Sequence, residues 1–244
     1  MTPGSKATGP RSTLHLKGLR LPKDDPFTPL RRRMVTEQLK ARGIQDERVL
    51  AAMALLPRHL FVPASQRDLA YADNALPIGH GQTISQPFIV AEMLEALALK
   101  GDENVLEVGA GSGYVAALLG LLARQVTAIE RLPVLAARAA RMLRDLGFSH
   151  VEIRCADGTK GAPDKAPFDA ILVSAGGRRI PPRLLEQLTA GGRLVIPLGD
   201  PFGGQRLMRI VRDTDTGRLV EEWLDSVRFV PLVEGETDRR NTDS

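Results

Sequence analysis

Val105-Leu106-Glu107-Val108-Gly109-Ala110-Gly111-Ser112-Gly113-Tyr114 decides the fold of this 244-residue chain. A short apolar run breaks on alternate glycines and resumes at Tyr114 with helical spacing. A strand must therefore turn sharply into a helix, and glycine is the residue that permits such a turn. The start of that helix presents free N–H groups over the turn, where a polar ligand can approach the backbone. The same rhythm continues downstream. Strands are predicted over Asn104–Val108, Gln125–Glu130, Val151–Cys155, Asp169–Val173 and Arg193–Pro197, with helices over 113–123, 132–146 and 181–188. Strands alternating with helices imply a parallel sheet covered on both faces. The end of the chain differs. Arg206–Val211 and Leu219–Val230 are strand-like and joined by Asp213-Thr214-Asp215-Thr216-Gly217, a hairpin signal. The expected fold is α/β: a doubly wound, Rossmann-like sheet, mostly parallel, finished by a C-terminal antiparallel hairpin.

Upstream the period is helical. Leu30, Met34, Val35 and Leu39 share a face before Gly43, and Asp46 is placed to cap a helix carrying Val49, Leu50, Met53 and Ala54 up to Pro57. Ser65 to Tyr71 suggests a third, short helix. Residues 73–84, with Pro77, Gly79 and Gly81, read as an irregular loop. Ser85-Gln86-Pro87 opens another helix, with Ser85 suited to the N-cap. The predicted organisation is a flexible basic extension over 1–29, an N-terminal helical cap with a site loop over 30–100, the ligand-binding core over 101–235 and a flexible tail over 236–244.

Composition excludes several classes. Hydrophobic residues make up 43% and charged residues 25%, as in ordinary globular chains. No apolar run reaches the ~18 residues of a spanning helix, and no secretory signal is evident. Cys155 is the single cysteine, so an internal disulfide is impossible, and it is expected to be a core thiol. The four histidines show no metal-ligand spacing. The net charge is +4, but residues 1–33 hold eight Lys and Arg against Asp24 and Asp25, which exceeds that surplus. Residues 34–244 are therefore net acidic, and the body of the protein offers no basic face for nucleic acid.

The chemistry sits around the glycine turn. Glu130 ends the next strand, where its carboxylate can accept bonds from both hydroxyls of a ribose. Gly-x-Gly alone is a weak signal, and a tight turn without ligand gives the same pattern. The dinucleotide fingerprint wants Gly or Ala where Tyr114 stands, which disfavours NAD. Glu107 in the strand makes poor sense beside a pyrophosphate. It makes good sense near a cationic ligand such as S-adenosyl-L-methionine. Asp157-Gly158 follows the third strand, where the Asp could accept from an adenine amine, although Asp-Gly is also a common turn.

The segment Asp73-Asn74-Ala75-Leu76-Pro77-Ile78-Gly79-His80-Gly81-Gln82-Thr83-Ile84-Ser85-Gln86-Pro87 closely resembles the protein-L-isoaspartate O-methyltransferase family. The likeness extends through Leu56-Pro57-Arg58-His59-Leu60-Phe61-Val62-Pro63, the 105–114 turn, Gly191-Gly192-Arg193-Leu194-Val195-Ile196-Pro197 and Val227-Arg228-Phe229-Val230-Pro231-Leu232. It implies a class I methyltransferase that moves a methyl group from S-adenosyl-L-methionine to the α-carboxylate of L-isoaspartyl residues in damaged proteins and peptides. The ester then collapses to a succinimide, whose hydrolysis restores some normal aspartate. Ser85 matches the family's active-site serine, and Thr83, Ile84 and Ser85 match the segment over the cofactor's methionine end. The turn glycines Gly109, Gly111 and Gly113, with Glu130, Asp157 and Gly158, match its adenosine contacts. Gln205 falls where the C-terminal part contributes to the site. The expected protein is a cytoplasmic monomer, with no nucleic-acid or membrane partner and no metal. One departure stands out: Ser174-Ala175-Gly176-Gly177-Arg178-Arg179 replaces the small-residue loop usual in the family, which leaves a different carboxylate acceptor, or a weakly active binding relative, as alternatives.

Overall fold

The computed structural model describes residues 14–22, 25–200 and 204–235. Helix α1 (Thr28–Arg33) begins with Pro29 in its first turn and runs on through a π-helical segment over Met34–Leu39 and a 3-10 turn over Lys40–Arg42. The wider π turns bring Met34 and Leu39, five apart, onto one face where both are fully buried. Leu30, expected on that face, is exposed. Gly43, in the left-handed conformation, ends the run. Helix α2 (Glu47–Leu55) is capped as its sequence predicts: the Asp46 carboxylate accepts from the Arg48 and Val49 N–H groups at 2.8 and 3.2 Å. The third expected helix is a 3-10 stretch over Ala64–Leu69.

Residues 73–84 are not irregular. Strands β1 (Leu76–Gly79) and β2 (Gln82–Ile84) form a hairpin, turned by His80 and Gly81, both at positive φ. Helix α3 (Pro87–Ala96) follows, with Gln86 at its N-cap and no side-chain cap. Ser85 is thus not the cap.

The core alternates β3 (Asn104–Val108), α4 (Tyr114–Leu122), β4 (Gln125–Glu130), α5 (Pro133–Asp145), β5 (Val151–Cys155), β6 (Phe168–Val173), α6 (Pro182–Glu186) and β7 (Leu188–Asp200). Strands β8 (Gly204–Arg212) and β9 (Leu219–Val227) close the sequence of elements. The sheet order is β5-β4-β3-β6-β7-β8-β9, parallel from β5 to β7 and antiparallel thereafter. The chain builds outward from β3 to β5, then returns to the other side of β3 with β6. That reversal opens a crevice at the carboxyl ends of β3 and β6, where open α/β sheets bind ligands. Along β3, Val105 and Leu106 enter opposite apolar cores, one under the cap and α4, the other under α6.

Two expectations are corrected here. The extension over 1–29 does not stay clear of the core. Residues 1–13 lie outside the described residues, but 14–22 run over the helices: His15 N–H donates to Leu121 O, Arg20 N–H donates to Leu146 O, and Leu14, Leu19 and Leu21 pack on the apolar core. Asp25 and Phe27 then enter a buried cluster. Asp25 pairs with Arg31, and Phe27 stacks on His59 at 4.4 Å. The sparse, proline-broken apolar positions of this stretch hid its docking. Cys155 is exposed at the end of β5, because an edge strand leaves its last residue uncovered. At the other edge, β9 leaves Leu219, Val220 and Trp223 exposed among Glu221, Glu222 and Asp225. The expected tail over 236–244 lies outside the described residues.

Candidate functional site

The glycine turn leaves β3 under main-chain control. The N–H groups of Gly109 and Ala110 both donate to Ile129 O, at 2.8 and 3.0 Å, which folds the turn over the end of β4. Gly109, Gly111 and Gly113 all take positive φ. The two later glycines serve different ends. A Cβ on Gly111 would meet Ile78 Cδ1 of β1 at 3.4 Å. A Cβ on Gly113 would press on Ala139 Cβ at 3.0 Å, so this glycine allows α4 to lie close to α5.

Two cavities meet at the crevice. The first is walled by Gly109, Gly111, Ile129, Glu130, Gly158 and Leu132. The second is walled by Ala75, Ser85, Gln86, Ile89, Arg228 and Phe229. Thr83, Ser174, Val230 and Pro231 face both. Occupants of the two cavities would therefore share those four residues.

Two acids define the first cavity. Glu130 Oε2 accepts from Gly111 N–H at 2.8 Å, and Oε1 accepts from Leu132 N–H at 2.9 Å. The carboxylate pins the turn while keeping further lone pairs for a ligand. Glu107 is fully buried behind the wall. One oxygen accepts from Ser174 Oγ at 3.3 Å, and the other has no partner among the described residues. Burial pushes the Glu107 carboxyl up to about 8. An unsatisfied buried carboxylate oxygen is costly, and positive charge in the adjoining cavity would ease that cost.

The expected site residues separate into two groups. Thr83, Gly109, Gly111, Glu130 and Gly158 line the first cavity, and Thr83 and Ser85 line the second. Ile84, Gly113, Glu107, Asp157 and Gln205 do not reach either wall. Ile84 is buried in the core, facing away from Thr83 as a strand neighbour must. Asp157 commits its oxygens to the protein: Oδ1 accepts from Thr159 N–H and Oγ1, and Oδ2 accepts from Gly235 N–H at 2.9 Å. Those bonds and Lys160 nearby hold its pKa below the usual carboxylate value despite desolvation. Gln205 is buried, with its amide clasping the main chain of one residue. Oε1 accepts from Phe229 N–H at 2.6 Å and Nε2 donates to Phe229 O at 3.4 Å. It supports the wall rather than forming it.

Both residues hold the same object, a strap over 228–235. Val230 O accepts from Gly176 N–H and Leu232 N–H donates to Gly176 O, each at 2.8 Å. Gly176 lies so close to Gln205 that a Cβ there would sit 2.1 Å from Nε2. The strap supplies wall to both cavities, yet none of its residues is among the expected site residues. The available signal is the Val227–Leu232 segment, whose role only its three anchors make plain. Arg178 and Arg179 are exposed and face Asp200 and Glu234, so they line neither cavity.

Known proteins match this arrangement. The family model "Protein-L-isoaspartate(D-aspartate) O-methyltransferase" matches residues 30–237. A protein-L-isoaspartate O-methyltransferase 1 of Rhodopseudomonas palustris strain HaA2 is 54% identical over 210 residues, covering 86% of this chain and 85% of the relative. A protein-L-isoaspartate O-methyltransferase from Roseiflexus castenholzii is 55% identical over 209 residues, covering 86% and 94%. A solved protein-L-isoaspartate O-methyltransferase superposes with a TM-score of 0.74 at 28% identity, covering 82% of this chain and 65% of that one. A Plasmodium falciparum structure, described as a putative protein-L-isoaspartate O-methyltransferase in complex with S-adenosyl-L-homocysteine, gives 0.73 at 25% identity, covering 84% and 99%.

Proposed function

The chain belongs to the protein-L-isoaspartate(D-aspartate) O-methyltransferase family, and from that premise we propose that methyl transfer takes place where the two cavities meet. The protein is a repair methyltransferase: it uses S-adenosyl-L-methionine to methylate the α-carboxylate of L-isoaspartyl residues. We assign the cofactor to the first cavity and the isoaspartyl residue to the second.

The observation that carries this assignment is the unpartnered Glu107 oxygen behind a glycine-lined wall. It fits a ligand bearing an ammonium and a sulfonium. Glu130, beside Gly111, is placed for the ribose hydroxyls, and Gly158, packed so closely on β3 that a Cβ would strike Val108 Cγ1 at 2.5 Å, lines the same cavity with bare backbone on which a flat base can lie. When bound, S-adenosyl-L-methionine supplies an electrophilic methyl group on sulfur. The chain's own work is to place an oxygen against it. An α-carboxyl group ordinarily titrates at ~3.5, so the acceptor is already an anion at neutral pH and needs no general base. Ser85, half-buried in the second cavity and without any capping role, can donate to one carboxylate oxygen while the other attacks. Attack neutralises charge, so water favours the separated reactants. The strap and Thr83 wall the seam, and a substrate seated there would displace water from it.

One chain supplies both cavities, which supports action as a monomer. Among the described residues no helix is long and apolar enough to cross a membrane, and a single exposed thiol at Cys155 suits a reducing cytoplasm. Paired peptides differing only in an isoaspartyl or aspartyl linkage test the substrate reading. Methyl incorporation should be confined to the isoaspartyl member, and equal rates on both would overturn it.

A further inference from the structure

Arg58 is the largest side chain that the described core hides completely, and it forms no ion pair among the described residues. Asp73, the acid that acts on it from further away, is paired with Arg42. Desolvation pulls the Arg58 pKa below its ordinary value. A buried guanidinium without a carboxylate partner is costly, and an apolar side chain of that volume would fill the same space more favourably. Core stability alone therefore does not account for an arginine here.

Its contacts do. Arg58 stands in the 3-10 turn Arg58–Phe61, directly after Pro57. Nε donates to Ala70 O and Nη2 donates to Ser85 O, both at 2.8 Å. The guanidinium carbon lies 5.1 Å from the centre of the Tyr114 ring, and Tyr114 is the first residue of α4 after the glycine turn. One planar fork thus touches the two arms of the site, the Ser85 link and the residue that follows the cofactor turn. The link itself is short. Ile84 is buried at the end of β2, and Pro87 opens α3. Between them, the Gln86 side chain is held by Asp73 Oδ2 at 2.8 Å. The Ser85 carbonyl is the remaining handle on the orientation of that link, and Arg58 holds it. The peptide plane that carries this carbonyl is rigid, so fixing it restricts the directions open to the Ser85 side chain.

We propose that Arg58 is a positioning residue for methyl transfer, clamping the Ser85 carbonyl against Ala70 and Tyr114 so that the Ser85 hydroxyl points into the acceptor cavity. Lysine cannot replace it, because a point charge lacks the two fixed N–H directions that reach both carbonyls. The inference rests on the assignment of Ser85 to the acceptor.

A double-mutant cycle tests it. Ser85→Ala, Arg58→Lys and the double variant are compared for kcat and KM with an isoaspartyl peptide, for S-adenosyl-L-homocysteine affinity by calorimetry and for melting temperature. Arg58→Gln serves as the second substitution. Ser85→Ala is expected to lower kcat by ~10²-fold, as misplacement of a reacting group does. Arg58→Lys should lower kcat by ~10-fold or more while cofactor-product affinity stays within about twofold, and it should cost nothing further in the Ser85→Ala background. Independent, multiplying losses would show that Arg58 does not act through Ser85 and would overturn the proposal while leaving Ser85 its role. Full activity of Ser85→Ala would overturn both. If neither Arg58 variant folds even with S-adenosyl-L-homocysteine present, Arg58 is a core residue and the proposal fails.

Discussion

The two arms of the site are held by different forces. The cofactor arm is a backbone device. Its turn is fixed by main-chain bonds from Gly109, Ala110 and Gly113, by Ser174 N–H donating to Val108 O, and by apolar cores on both faces of the sheet. The acceptor arm belongs to a cap of short helices, turns and a two-stranded hairpin, whose carbonyls have few ladder partners. Arginines supply the missing donors across long stretches of sequence. Arg31 donates to Ala54 O, Arg48 to Leu99 O, Arg58 to Ala70 O and Ser85 O, Arg138 to Ile78 O, and Arg193 to Leu97 O, while Arg48 also ties the cap to Leu122 O of α4. Buried carbonyls require donors, and a long, forked side chain can serve two of them at once. The cofactor arm should therefore be intolerant of added bulk, whereas the cap should be intolerant of lost donors.

The sharpest way to break that contrast is Gly111→Val. The site has φ +53, Ile78 stands 3.4 Å from the new Cβ, and a branched residue in a left-handed conformation is strained. Affinity for S-adenosyl-L-homocysteine should fall ~100-fold by calorimetry, the equivalent of about 3 kcal/mol of strain and lost contact. Unchanged affinity would mean that the turn does not face the cofactor. Glu107 offers a pH test of the same arm. Its carboxyl is raised to about 8, so without ligand the proton is retained at neutral pH and leaves as pH rises through that value. A cationic ligand favours the ionised form. Binding at pH 7 should therefore release a proton, and affinity should rise by up to ~10-fold per pH unit until the pH reaches that value. Calorimetry in buffers of different ionisation enthalpy reads the proton, and Glu107→Gln should abolish both effects.

Gln205→Ala probes the strap, where donor loss should dominate. Removing the clasp on Phe229 should raise the peptide KM about 10-fold, since each buried bond contributes ~1 kcal/mol. Unchanged kinetics would assign Gln205 to packing against Gly176. The smallest effect concerns the outside of the molecule. Deleting the chain through residue 22 removes Leu14, Leu19, Leu21 and two long-range main-chain bonds, and should lower the melting temperature by roughly 5–10 °C through a loss of about 2–3 kcal/mol. Deletion through residue 13 is the control. Activity on a short peptide should persist in both at low temperature.

What could be read from the sequence follows the same division. The cofactor arm is legible because it is local: strand, glycine turn and helix are adjacent in the chain, and Glu130 comes one element later. Periodicity places β3 to β6 within a residue or so of their observed bounds. The cap is less legible because its order comes from distant partners. Pro77 and the glycines mask the alternation of β1 and β2, and the π turn moves Leu30 off the buried face. Gln205 and Asp157 are expected at the cofactor. Gln205 is instead held by the main chain of Phe229, 24 residues away, and one Asp157 oxygen by Gly235, 78 residues away, which no local pattern announces; the other Asp157 oxygen is taken by Thr159.

The open sheet has a further consequence. Among the described residues it ends in two edge strands, β5 and β9, and each presents a row of backbone donors and acceptors on which another chain could add. The substrates of this family are themselves polypeptides that contain isoaspartyl residues. Both edges are salted with charge. On β5, Arg154 bridges Glu152 and Asp164; on β9, Glu221, Glu222 and Asp225 interrupt Leu219, Val220 and Trp223. Seating an extra strand would strip water from those charged groups. Charge on both edges therefore works against strand addition there.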